Sequence, residues 1–308
     1  MSLINKSKRV TCVTLLACAS FPTILGAQAV ETTDPRPAIR SFSGIIEGHE
    51  VGGVTIDMIG NVYAADFGDI VWRVTPEGQR TELASGMYGT SGNAIDNEGY
   101  LLQASFYGDA VTKIDRKGQA KPFVTRGLSR PAGIAVDRQT GDAYVTNCRA
   151  NSIVRVASDG SVAAFATSEL FNCPYGAAFD RERNLYVVNY NDNRMLRIDP
   201  QGVVALFASV SSKGLAHLCF KGDRFFVTAF RSHEIYEVTL DRKVTRILGN
   251  GERAIVDGAG QSARLSFPMG IACHPWAPRI YVNEDANESG AVLPRRSTLR
   301  VITLGAEE

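Results

Sequence analysis

Residues 131–156, PAGIAVDRQTGDAYVTNCRANSIVRV, read as three strands joined by two turns. Gly133-Ile-Ala-Val-Asp137 is a short apolar run closed by an acid. Thr140-Gly141-Asp142 supplies turn chemistry, because Gly tolerates positive φ and Asp bonds its own backbone. Ala143-Tyr-Val-Thr146 is the β-branched and aromatic composition that a pleated strand prefers. Asn147 to Asn151 turns again, Ile153-Val-Arg-Val156 resumes alternation, and an Asp-Gly turn at 159–160 leads into a fourth strand at Val162-Ala-Ala-Phe165.

The unit recurs. The acid closing its first strand falls at Asp57, Asp96, Asp137 and Asp180, spacings of 39, 41 and 43 residues, while Asp223 lies two positions late and a sixth copy starts at Pro268-Met-Gly-Ile-Ala272. Four strands repeated about every 40 to 45 residues mark β-propeller blades. The expected fold is all-β, a six-bladed propeller over residues 39–308, preceded by a leader (1–29) and a linker (30–38). Ile39-Arg-Ser-Phe-Ser43 has no blade before it, and the last blade runs out after Leu299–Leu304. The N-terminal strand is therefore expected to complete the sixth blade and cover an edge open to aggregation.

Lys6, Lys8 and Arg9, the apolar run Val10 to Leu25 and Ala27-Gln-Ala29 make an export signal with its cleavage motif. Leu15-Leu-Ala-Cys18 resembles a lipoprotein signal, but the apolar run continues past Cys18, so simple export to the periplasm or medium is the reading. No later stretch approaches 18 uninterrupted apolar residues, so no transmembrane helix is expected. A net charge of +1 gives no reason to expect nucleic acid or an anionic membrane as partner, leaving a small molecule or another protein. In an oxidising compartment, Cys148 and Cys173 lie in loops of the same face and suit a disulfide. Cys219 and Cys273 fall inside innermost strands and read as buried free thiols.

Leu248-Gly-Asn-Gly-Glu252, Asp257-Gly-Ala-Gly260, Phe267-Pro-Met-Gly-Ile-Ala272 and the repeated Tyr-Val-x-Asn steps resemble NHL repeats. The resemblance spans residues 39–304 and implies a six-bladed propeller of the broad gluconolactonase and senescence-marker superfamily, which includes hydrolases, lyases and non-catalytic scaffolds. The gluconolactonase-type enzymes carry metal ligands one residue before the first-strand glycine. Here that column is Gly52, Ser91, Ala132, Tyr175, Ala216 and Met269, with no carboxylate or amide, so the lactonase pattern is not met.

Aligning the ends of the second strands gives a polar column, Asp66, Ser105, Asn147, Asn189, Ala229 and Glu284. Beside it runs an aromatic one, Phe67, Phe106, Cys148, Tyr190, Phe230 and Asp285. Apolar walls with a few placed polar groups suit a small organic ligand at the channel mouth; the alternative is that Asp and Asn cap turns. His217 replaces the inner-strand glycine of the other blades and, with Glu284, is the candidate acid–base pair for a hydrolase or lyase. Asn147, Asn189 and Glu284 offer hard oxygens to Ca²⁺ or Mg²⁺. Asp109, Asn151, Asn193 and His233 read as left-handed turn residues. His49 is expected near the mouth, and an insertion from Ala286 to Ser297 carries Arg295 and Arg296. The column Arg73, Lys113, Arg155, Arg197 and Arg300 reads as solvated charge. The rival to catalysis is a binding or scaffold propeller.

Overall fold

The computed structural model describes residues 36–43, 46–47, 50–286 and 296–305. The leader, most of the linker, His49 and most of the Ala286–Ser297 insertion lie outside the described residues. Five antiparallel sheets of four strands follow the chain without crossover. Their innermost strands are Val54–Ile56, Thr90–Ile95, Pro131–Val136, Pro174–Phe179 and Leu215–Lys221. The sixth sheet begins with Ile271–Cys273 and continues through Arg279–Asp285 and Arg296–Thr303. Ala38–Ser41 then pairs antiparallel with Arg300–Thr303, completing the last blade from the other end of the chain. Gly258–Ala259 adds beyond that strand, pairing with Ala38 and Ile39.

The spacing of the repeat has a local cause. Asp57 Oδ1 accepts the N–H groups of Ile59 and Asn61, at 3.0 and 2.8 Å. Asp96 and Asp180 close the same turn two and four residues on. A carboxylate that satisfies its own turn makes each first hairpin autonomous. Blade five turns differently: Gly222 and Asp223 take φ of 57° and 58° between Lys221 and Arg224, the geometry of a two-residue type I′ hairpin. That shorter connection is why Asp223 falls out of register with its counterparts.

The blades meet where Gly53, Gly92, Gly133, Gly176 and Gly270 pass neighbouring backbone. A Cβ on Gly133 would lie 2.1 Å from Tyr175 O, and one on Gly53 would lie 2.6 Å from Gly92 Cα. Polar side chains of the second strands then bind across this contact. Thr146 Oγ1 accepts Gly133 N at 2.7 Å and donates to Tyr175 O at 2.6 Å. Thr228 likewise accepts His217 N and donates to Met269 O, while Asn283 joins Gly270 N to Gly52 O. Apolar clusters fill the wedges between blades, for example Tyr186, Phe207, Phe225 and Tyr236 between blades four and five.

Both pairs of described cysteines are bridged. Cys148–Cys173 spans 25 residues as expected. Cys219–Cys273 spans 54 residues, which corrects the reading of these two as free thiols. They lie on adjacent inner strands of blades five and six, close enough to bond, a juxtaposition that strand composition does not reveal.

Candidate functional site

One end of the channel, where linking loops and second-to-third-strand loops emerge, is paved with rings. Phe67 stands 5.6 Å from Phe106, Phe106 stands 6.3 Å from Tyr175, and Tyr175 stands 5.1 Å from Tyr190. The chain of contacts continues through Phe230 at 6.2 Å to Phe267 at 4.9 Å. Tyr107 and Tyr88 extend it outward and stay about half to two-thirds exposed. The aromatic column read from the sequence is thus one apolar cluster, with Cys148 and Cys173 in it. Phe267 belongs to the same rim but lies on the linking loop, outside the aligned column.

Beneath the rim the axis is filled. Tyr175 reaches across from blade four, and Ser91 Oγ of blade two lies 3.3 Å from its hydroxyl and 2.9 Å from Ala132 O. Burial pushes the Tyr175 phenol well above its usual range. His217 of blade five packs edge-on to Tyr175 at 5.2 Å. Its Cε1 approaches Gly92 of the opposite blade so closely that a Cβ there would lie 3.1 Å away. Burial holds this imidazole neutral, lowering its pKa to about 4, and its Nε2 has no hydrogen-bond partner among the described residues. The column Ser91, Tyr175 and Met269, where the gluconolactonase pattern would place metal ligands, instead contributes buried side chains at this level.

The polar column is bound to the loops around it. Asn147 Oδ1 accepts Ser129 N at 3.1 Å, and Asn189 Nδ2 donates to Leu170 O at 2.9 Å. Asp66 Oδ1 accepts Gly68 N, Ile70 N and the Thr90 hydroxyl. Ser105 is buried beside them at the end of its strand. Glu284 is fully buried; Oε2 accepts Ser266 N at 3.0 Å, and both oxygens lie within 3.2 Å of Arg300 Nη1. Burial outweighs the pull of Arg300 and raises the Glu284 pKa to about 7. Arg300 is itself fully buried and also holds Asp257 at 2.9 Å, so it departs from the solvated charge expected of its column. Among the described residues no cluster of three or more His, Cys, Asp or Glu side chains forms. With Glu284 on Arg300 and Asn147 on Ser129, Asn189 Oδ1 is the one candidate donor without a partner among the described residues, and a single amide oxygen does not make a divalent-cation site.

A second set of contacts on this face was missed in the sequence. Asp109, Asn151 and His233 adopt positive φ, whereas Asn193 does not. Each accepts an N–H from the link entering the next blade: Arg130 at 2.6 Å, Cys173 at 2.7 Å and Phe267 at 3.1 Å. Those three partners also have positive φ, and each precedes a proline. The cue was available as Arg-Pro, Cys-Pro and Phe-Pro at one place in three blades.

The same ring occurs in solved proteins. An auxiliary nutrient binding protein from Bacteroides thetaiotaomicron superposes with a TM-score of 0.73 at 13% identity, over 88% of this chain and 77% of its own. A gluconolactonase from Xanthomonas campestris gives 0.64 at 17% identity, over 87% and 95%. Virginiamycin B lyase from Staphylococcus aureus, with quinupristin, gives 0.60 at 17%, over 83% and 81%. At these identities the likeness is one of fold, which hosts several unrelated functions. No protein-family model matches the sequence, and no curated protein matches it either.

Proposed function

We propose that this chain is an exported NHL-type propeller that binds a small organic ligand on the aromatic end of its channel. The observation that carries the reading is the unbroken run of rings from Phe67 to Phe267, flanked by the exposed Tyr88 and Tyr107. A ligand with a flat apolar face gains from ring contact there, about 0.5–1.5 kcal/mol per aromatic pair beyond area burial. Arg130 over Phe106 and Tyr107, and Arg231 over Tyr190, add cationic groups suited to an acidic substituent. Two disulfides agree with an oxidising compartment and with cleavage of residues 1–29. The test is a thermal-shift and calorimetric screen of aromatic carboxylates. Binding should weaken about tenfold in Tyr107→Ala and Arg130→Gln with unchanged unfolding; a panel without a single binder removes the reading.

One observation favours catalysis as a second reading: the buried Nε2 of His217 lacks a partner, as a base awaiting a substrate proton would. In that reading His217 and Glu284 act on a lactone or a cyclic depsipeptide, by hydrolysis or elimination. Gluconolactone and quinupristin, offered to wild type and to His217→Ala, decide it: turnover lost in the variant supports catalysis, and none in either leaves the binding reading alone.

A further inference from the structure

The other end of the channel is open. A cavity of about 740 Å³ is formed there by residues of all six inner strands and the turns that follow them. Its inner wall is mainly aliphatic, with Ala94, Ala135, Ala177 and Ala272 leaving the space that larger side chains would fill, while Asp137, Arg138, Asp180, Arg181 and Arg183 ring its outer part. Near the top of this wall stands Asn93, 8% exposed. Its Nδ2 donates to Gln103 Oε1 at 3.1 Å, while its Oδ1 is buried with no partner among the described residues. The orientation is fixed by Gln103, whose Nε2 is committed to the carbonyls of Ser91, Gly92 and Ala104, so its oxygen must face a donor. A buried acceptor without a donor is costly and points to a missing N–H or O–H.

At the outer rim, Arg138 stands where this cavity meets a second hollow of about 640 Å³ between blades one and two; Ile56, Met58 and Arg138 line both. The neighbouring rim arginines are paired, Arg183 with Asp137 at 2.6 Å and Arg181 with Asp223 at 3.2 Å. Arg138 makes no salt bridge among the described residues. It donates to Asp96 O and Asn97 Oδ1 at the long distances of 3.4 and 3.5 Å and feels the Asp96 carboxylate, which is itself paired with Lys113 at 2.9 Å. With that carboxylate held by Lys113, the guanidinium keeps N–H groups for a second one.

We propose that this cavity is a binding site, distinct from the aromatic end, for an apolar monocarboxylate carrying a hydroxyl or amide N–H at its far end. Asn93 is level with Ile134, because Gly92 and Gly133 lie side by side. Arg138 lies in the turn beyond Val136, and its Nη1 stands by Asp96 O, three residues on from Asn93 and roughly 10 Å at strand rise, which sets the length of the ligand. The carboxylate sits on Arg138, the apolar body lies along the alanines, and the donor reaches Asn93 Oδ1.

Trp276 provides the readout. It is 70% exposed, follows the cavity residue Pro275 and donates from Nε1 to Met58 O at 3.1 Å. Titrating the whole protein with 10-hydroxydecanoate should change its emission saturably, with no response in Trp276→Phe. Decanoate, lacking the donor, and decane-1,10-diol, lacking the carboxylate, should each bind about tenfold more weakly. Arg138→Gln should weaken both acids about tenfold and leave the diol unchanged. Ala177→Phe, or Ala94→Leu if the first lowers Tm, should abolish binding by filling the cavity, and Tyr107→Ala at the aromatic end should not alter it. No saturable response at millimolar probe, or affinity for 10-hydroxydecanoate unchanged by either Arg138→Gln or cavity filling, overturns the proposal whatever happens at the other end.

Discussion

The two ends of the channel are built from the same six strands and are opposites. At the linking-loop end, rings, a disulfide and loop-to-loop hydrogen bonds close the axis. At the turn end, alanines leave a hollow, and the carboxylates are spent on their own turns. The boundary between them is the level of Tyr175 and His217. Which end is open is thus decided by side-chain volume at a few positions of the inner strands, while the backbone ring is indifferent to it.

The largest effects should come from covalent closure. Replacing both Cys219 and Cys273 by Ala should cost about 4 kcal/mol in urea unfolding, against about 3.5 for Cys148 with Cys173, since the loops closed are 54 and 25 residues. Equal loss on reduction of either bridge alone, well below these figures, would mean that the unfolded chain is already restricted. Next, Tyr175→Ala should cost about 3 kcal/mol, because its neighbours cannot collapse into the space. Ala177→Phe at the open end should cost less than about 1 kcal/mol, as room exists for the ring. Similar penalties for the two would erase the distinction between a packed and a hollow end.

Two buried titrating groups sharpen the contrast with opposite signs. His217 has its pKa lowered by burial to about 4, so the stability it contributes is present above 6.5 and is lost as pH falls through 4. Glu284 has its pKa raised by burial to about 7, so its contribution is present below 4.5 and is lost as pH rises through 7. Each corresponds to about 3 kcal/mol, and between pH 4.5 and 6.5 they offset one another. Relative to wild type, Glu284→Gln should therefore gain stability as pH rises across this window, and His217→Asn should lose it. Urea melts at the two pH values read the difference; parallel profiles for all three proteins would sink the assignment.

The N-terminal clasp was legible because the last blade runs out of sequence before a fourth strand. The ring was legible because it rests on repeated local chemistry: a closing Asp in four blades, Gly-bearing turns and alternating β-branched residues. The aromatic rim was legible for the same reason, since one loop position in several blades holds a ring. What escaped was non-local. Cys219 and Cys273 meet only once two blades are adjacent, and Arg300 differs from Arg73 and Lys113 only because Glu284 and Asp257 close over it. The hollow end escaped because alanine is unremarked in a strand until five of them line the same void.

The smallest effect tests the finest feature of the closed end, the left-handed pair Asp109 and Arg130. Asp109 has φ of 48° and its Oδ1 accepts Arg130 N at 2.6 Å. Asp109→Gly removes the acceptor but fits the backbone, so it should cost about 1 kcal/mol, the worth of one hydrogen bond. Asp109→Ala loses the same bond and must also hold a Cβ at positive φ, adding about 1 kcal/mol more. Asp109→Asn keeps acceptor and conformation, as Asn151 does in the next blade, and should unfold like wild type. If Ala and Gly prove equally costly, the turn has relaxed out of the left-handed region, and the closed end is held by its rings and disulfide without these loop contacts.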